Sequence, residues 1–196
     1  ITFGWAMGVF VGVYTAVHLG GSGHLNPAVT IALAFFKDFD KALILPYLAA
    51  QLAGAFCGSI IVWLAYKNQF DATTDKELIR AVFCTAPSVR NFRYNMLTEI
   101  IGAFVLLFGA LALSPPTDAL GTLNALPVAL LVLGIGLSLG GPTGYAINPA
   151  RDLGPRIAHF LLPISTKGHS DWSYAWVPMA GPVIGACIAV LIYNLL

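Results

Sequence analysis

Two segments of this chain share an unusual run of Asn, Pro and Ala. They are Gly23-His24-Leu25-Asn26-Pro27-Ala28-Val29-Thr30 and Gly144-Tyr145-Ala146-Ile147-Asn148-Pro149-Ala150-Arg151-Asp152. Asn is among the best N-cap residues, and Pro is favoured at the first helical position. Each Asn-Pro therefore opens a helix. The N-terminus of each carries about half a positive charge. The chemistry this implies is not bond-making. It is an electrostatic barrier to cations and protons, with loop carbonyls available to neutral solutes.

Three ionisable residues lie close to these starts or inside apolar stretches. Arg151 occupies the third helical position after Asn148, where a cation opposes the helix dipole by a few tenths to about 1 kcal/mol. A purely structural role does not explain that placement. Asp152 suits the dipole, and Arg156 stands four residues on for an i,i+4 pair. Glu99 is a lone acid early in an apolar span. No Ser/His pair, paired Asp or metal cluster lies within the apolar stretches. An enzyme is rejected on that ground, and no cofactor or metal is expected.

The elements that must position these residues follow from composition. The 196 residues are 58% hydrophobic and 10% charged, with net charge +1 and mean hydropathy +0.80. Soluble domains are about 45–50% apolar and about 25% charged. There is no basic field for nucleic acid, and disorder is excluded by the shortage of charge. Residues 1–36, 42–66, 100–117, 119–150 and 172–196 contain no Asp, Glu, Lys or Arg. A spanning helix needs about 20 mostly apolar residues. The chain is therefore a polytopic helical membrane protein, and no ten-residue alternation suggests a β-barrel. Cys57, Cys84 and Cys187 are too few and too scattered for a disulfide framework, and Cys57 and Cys187 read as small buried hydrophobes.

Spans are expected at 1–19, 42–66, 94–113, 124–140 and 173–196. Breaks are expected at Gly20–Gly23, at Ser114-Pro115-Pro116-Thr117-Asp118 and at Gly140–Gly144. Residues 27–36 and 149–162 are too short to span and suggest re-entrant half-helices. The long polar loop 67–93 holds eight of the nineteen charges. The pattern repeats, with Asn26 and Asn148 lying 122 residues apart. The first repeat covers 1–66, the connecting loop 67–93 and the second repeat 94–196. Symmetry implies a further helix before Ile1. With three spans per half, the two halves are inverted in the membrane. The half-helices then meet near the midplane, where irregular backbone must be buried in protein or line a wet cavity.

The paired motifs resemble those of the aquaporin, or major intrinsic protein, family over nearly the whole chain. The resemblance implies an all-α membrane protein of aquaporin-like inverted repeat, with six spanning helices in the full protein and two half-helices. The first motif is one residue shorter between Ser22-Gly23 and His24 than is common in the family. The resemblance also implies a selectivity constriction at Trp5, Gly136, Tyr145 and Arg151. It implies pore-lining carbonyls at Gly23, His24, Leu25, Gly144, Ala146 and Ile147. Asn26, Pro27, Ala28, Asn148, Pro149 and Ala150 form the pore motifs. Glu99 supports the re-entrant loop as a buried acceptor, and Asp152 marks the glycerol-facilitator branch.

Trp, Gly, Tyr and Arg together resemble glycerol facilitators, whereas strict water channels usually carry His where Gly136 stands. The function implied is a passive channel in the plasma membrane for glycerol, other small neutral solutes and water. Homotetramers in the lipid bilayer are implied as well. A strict water channel and a secondary transporter are the alternatives. Transport coupling needs intramembrane ionisable groups, and only Glu99 and Arg151 qualify. Counting basic residues would place the 67–93 loop inside. The resemblance places it outside with both termini inside, and that orientation is adopted.

Overall fold

The computed structural model describes residues 1–113 and 123–196. The expected break at Ser114–Asp118 lies outside the described residues. The helices are α1 (Thr2–His18), α2 (Pro27–Phe36), α3 (Ile44–Ala65), α4 (Lys67–Ala72), α5 (Lys76–Phe83), α6 (Phe92–Ala112), α7 (Leu126–Thr143), α8 (Pro149–Leu161) and α9 (Trp176–Tyr193). No strand occurs among the described residues. Four segments are long and apolar enough to cross a membrane: Lys41–Ala65, Phe92–Ala112, Leu126–Thr143 and Trp176–Tyr193. Helix α1 has 17 residues, the lower end of the spanning range. Helix α2 has 10 residues, about 15 Å at 1.5 Å per residue, or half the hydrocarbon thickness.

Local code explains both half-helices. Asn26 and Asn148 are extended N-caps whose side chains accept from backbone N–H groups of the first turn, and Pro27 and Pro149 follow them. Their far ends are capped as well. Asn194 Nδ2 donates to the Phe36 carbonyl at 2.7 Å, closing α2. Lys167 Nζ donates to the carbonyls of His159, Phe160 and Leu162 at 2.5–2.7 Å, closing α8. A cation at a helix C-terminus also suits the dipole.

The two half-helices are sandwiched by the long ones. Helix α2 buries Ala28 and Ala32 against Leu107 of α6 and Ala186, Ala189 and Val190 of α9. Helix α8 approaches α3 so closely that a Cβ on Gly154 would lie 3.0 Å from the Phe56 nitrogen. Gly181 and Gly185 let α9 approach α6, where their missing Cβ atoms would meet Glu99 and the Ile100 carbonyl. Gly54 differs, because nothing lies within 4 Å of the Cβ it lacks.

Three sequence expectations change. Residues 67–93 are not plain loop, since they contain α4 and α5. Asp75 caps α5 by accepting from the Glu77 and Leu78 nitrogens, and Ile79 and Phe83 bury one face of it. The Gly140–Gly144 break is displaced, because α7 continues through Gly140, Gly141 and Pro142 and ends at Gly144 with φ +77°. The Pro142 carbonyl at this end accepts from the Ser88 nitrogen at 3.0 Å, and Gly144 supplies the left-handed C-cap. Cys57 is exposed, not buried, on the outer face of α3, and Cys187 is half-buried.

Candidate functional site

The two Asn-Pro-Ala starts meet and brace each other. Asn26 Oδ1 accepts from the Ala28 nitrogen at 3.0 Å, while its Nδ2 donates to the Ile147 carbonyl at 2.8 Å. Asn148 Oδ1 accepts from the Ala150 and Arg151 nitrogens at 3.0 and 3.3 Å, while its Nδ2 donates to the Leu25 carbonyl at 2.9 Å. Each amide therefore caps its own helix and holds the residue before the other Asn. Each Nδ2 carries two N–H groups. One is committed, which leaves one for a solute.

The second loop is strained and anchored. Tyr145 and Ile147 adopt positive φ of 40° and 44°, which costs of order 1–3 kcal/mol each for non-Gly residues. Glu99, fully buried on α6, accepts from the Ala146 nitrogen at 3.0 Å and the Ile147 nitrogen at 2.7 Å. The carboxylate thereby satisfies two buried donors and fixes the loop. Glu99→Gln keeps one acceptor oxygen and leaves a buried N–H unpaired. It is expected to destabilise the protein by about 1–3 kcal/mol. A lower thermal unfolding midpoint in detergent checks this, and an unchanged midpoint contradicts it.

The first loop is held differently. Gly23 takes φ +71°. Gln51 Nε2, on α3, donates to the His24 carbonyl at 2.8 Å and to Thr30 Oγ1 at 2.9 Å. The half-buried His24 ring packs against Phe39 and Tyr47 at 4.8 and 5.8 Å between centroids. The Tyr47 hydroxyl in turn accepts from the Ser22 nitrogen at 3.0 Å and donates to Ser22 Oγ at 3.2 Å. The carbonyls of His24, Leu25 and Ile147 thus each accept one protein hydrogen bond. Those of Gly23, Gly144 and Ala146 accept none among the described residues.

Trp5, Gly136, Tyr145 and Arg151 converge. The Arg151 guanidinium lies over the Trp5 ring, 4.4 Å from its centroid. Its side-chain donors bond no protein group among the described residues. The Tyr145 ring lies over the two glycines of α7. A Cβ on Gly136 would sit 3.0 Å from Tyr145 Cε2 and Cζ, and one on Gly140 would sit 3.0 Å from Cδ1. Thr2, one turn before Trp5, closes the other side of Gly136. The space Gly136 leaves is therefore filled by Tyr145 and Thr2.

Asp152 and Arg156 are both 0% exposed. Arg156 has five N–H donors, and all five are used. Nε and Nη2 donate to Asp152 at 2.7 and 2.9 Å, and Nη2 also donates to the Thr85 carbonyl at 3.0 Å. Nη1 donates to the Ser170 and Asp171 carbonyls at 2.6 and 2.9 Å. Asp152 Oδ2 further accepts from the Thr85 nitrogen and hydroxyl at 2.8 and 2.6 Å. The pair ties α8 to the segments that precede α6 and α9. The partly exposed Arg90 adds an ion pair to the buried Asp171. Burial pushes the Asp171 carboxyl up, but hydrogen bonds from Arg90 and Ser173 outweigh it and hold its pKa below the ordinary value.

Sequence reasoning missed Gln51, Thr85 and Thr2. A signal existed for Gln51, the one amide side chain in the charge-free stretch 42–66. Polar residues inside spans are expensive and mark function. Thr85 and Thr2 carried no signal of that kind.

Two half-helices meeting end to end inside a bundle of spanning helices define a re-entrant-helix membrane protein. The Major intrinsic protein family model matches residues 1–193. The chain therefore belongs to the major intrinsic protein family. It is 49% identical over 196 residues to glycerol uptake facilitator protein 3 of Lactiplantibacillus plantarum, covering 100% of this chain and 81% of that one. It is 52% identical over 194 residues to a probable glycerol uptake facilitator protein of Thermotoga maritima, covering 99% and 82%. The X-ray structure of the aquaglyceroporin from Plasmodium falciparum superposes with TM-score 0.87 at 30% identity, covering 98% of this chain and 80% of that one.

Proposed function

We propose that this protein is a passive plasma-membrane channel for glycerol and similar small neutral solutes, and also for water. The observation that carries the reading is the Arg151 guanidinium, stacked on Trp5 with no protein partner for its side-chain donors among the described residues. Beside it the Tyr145 ring supplies a second apolar surface. One wall then takes the carbon face of a polyol, and Arg151 donates to its hydroxyls. The acceptors are the carbonyls of Gly144 and Ala146, with Gly23 on the other side of the junction. The carbonyls of His24, Leu25 and Ile147 each keep one lone pair for the path. At the junction, the second N–H of Asn26 and of Asn148 replaces lost hydration.

Ions are excluded because apolar walls cannot replace a full hydration shell. Protons are excluded because two helix N-termini and Arg151 present positive charge to the path. Names of relatives in the family, glycerol uptake facilitators, support the same solute. The working form is a homotetramer with the 67–93 segment outside and Asp152 supporting the outer mouth.

The test is stopped-flow light scattering on vesicles carrying the full-length protein. Glycerol permeability is expected at about tenfold or more above protein-free lipid, as a barrier lower by about 1.4 kcal/mol would give. Under a pH gradient the same vesicles should show no protein-dependent proton leak. Water flux without glycerol flux would sink the solute reading. A proton current coupled to glycerol would replace the channel with a transporter.

A further inference from the structure

A cavity of about 220 Å³ lies behind the junction of the half-helices, between α3 and α9. Its lining is related by the internal repeat. The half-helices supply Pro27 with Pro149 and Ile31 with Leu153, each pair 122 residues apart, as Asn26 and Asn148 are. The long helices supply Leu48 with Met179 and Leu52 with Val183, each pair 131 residues apart, like Gly54-Ala55 and Gly185-Ala186. The cavity therefore sits on the axis that relates the two halves, and the prolines of both signature motifs form part of its wall.

Two of these residues continue outward. Met179 and Val183 also line a groove along α9 with Trp176, Ala180 and Ile184. Trp176 heads α9, beside the exposed Trp172. Trp residues at helix ends mark the membrane–water interface. The groove thus runs from the interface toward the midplane and shares Met179 and Val183 with the cavity.

We propose that this cleft binds one acyl chain of a bilayer phospholipid, whose end rests against Pro27 and Pro149. Three facts select that occupant. Residues 42–66 and 172–196 contain no charged side chain, so the flanking surface faces hydrocarbon. Water needs two to four polar partners to fill a cavity, and this lining offers none among its side chains. An empty void would forfeit dispersion contacts on every wall. Apolar cavities of about 150 Å³ already take a benzene-sized guest, so this one holds several methylenes. A chain seated here touches the back of both helix starts while the path of the solute lies on their Asn side. The proposal stands independently of which solute passes.

The test uses the full-length protein in phosphatidylcholine vesicles containing a phospholipid with a diazirine at the end of one acyl chain. After photolysis, peptide mass spectrometry locates the adducts. Labelling at Leu48, Leu52, Met179 and Val183 is expected at about threefold or more above that at the exposed Ile61 and Ile188, because a seated chain contacts several walls at once. Leu52→Trp combined with Val183→Trp, which adds bulk to both long-helix walls and takes up most of the cavity, should abolish the excess at Leu48 and Met179 while leaving Ile61 and Ile188 labelled. That residual labelling, with a monodisperse elution peak, reports a folded variant. Uniform labelling of all six positions in the wild type overturns the proposal. So does an excess at Leu48 and Met179 that survives the double tryptophan variant.

Discussion

Gly136→His is expected to lower the ratio of glycerol to water permeability by about tenfold or more, equivalent to about 1.4 kcal/mol of added barrier for the larger solute. The structure sharpens the reason. A Cβ at this position would lie 3.0 Å from two atoms of the Tyr145 ring and would overlap Thr2 Cγ2. An imidazole cannot enter without displacing Tyr145, the first turn of α1, or both. Tyr145 is held at positive φ between Gly144 and the Glu99-bound nitrogens. Its backbone yields little, so the ring moves. Water passes a gap that glycerol does not, and the ratio falls.

Gly136→Ala separates two versions of the idea. If Gly136 only widens the lumen, a methyl costs little. If it seats Tyr145, the methyl alone shifts the ring and lowers the ratio. The structure favours the second version. The measurement is stopped-flow flux of both solutes at matched protein density. A ratio unchanged in both variants, with the protein folded, removes Gly136 from the constriction.

What the sequence made legible was local. Asn-Pro opens a helix through a cap and a fixed φ, and both rules act within four residues. The half-helices therefore came out at Pro27–Phe36 and Pro149–Leu161, within a residue of expectation. Charge-free runs located the long helices for a similar reason, since a bilayer tolerates little else. What stayed hidden depended on distant segments. The partners of Gln51 lie 21 and 27 residues away, and those of Thr85 lie 67 and 71 residues away. No periodicity reports such a bond. Helix α5 was missed because it lies in the 67–93 segment, whose eight charges made the whole stretch read as loop. The glycine-rich end of α7 misled because only Gly144 takes the left-handed C-cap conformation, while Gly140 and Gly141 stay helical.

Arg156→Met is expected to be the most damaging single substitution outside the pore, costing about 3–5 kcal/mol, as breaking a buried ion pair does. It strands the Asp152 carboxylate at 0% exposure. It also removes the donor to the carbonyls of Thr85, Ser170 and Asp171. Arg156→Lys keeps the charge but has three donors for five bonds, so its loss should be intermediate. The decisive variant is Asp152→Leu combined with Arg156→Met. Replacing a buried pair by apolar residues is often neutral. Here it should not be, because three carbonyls and the Thr85 N–H would remain without partners. The readout is the midpoint for loss of monodisperse protein on heating in detergent. Recovery of the wild-type midpoint in the double variant would mean that Arg156 serves only to neutralise Asp152. A double variant as unstable as Arg156→Met would mean that the guanidinium pins two loops to α8 through the carbonyls of Thr85, Ser170 and Asp171.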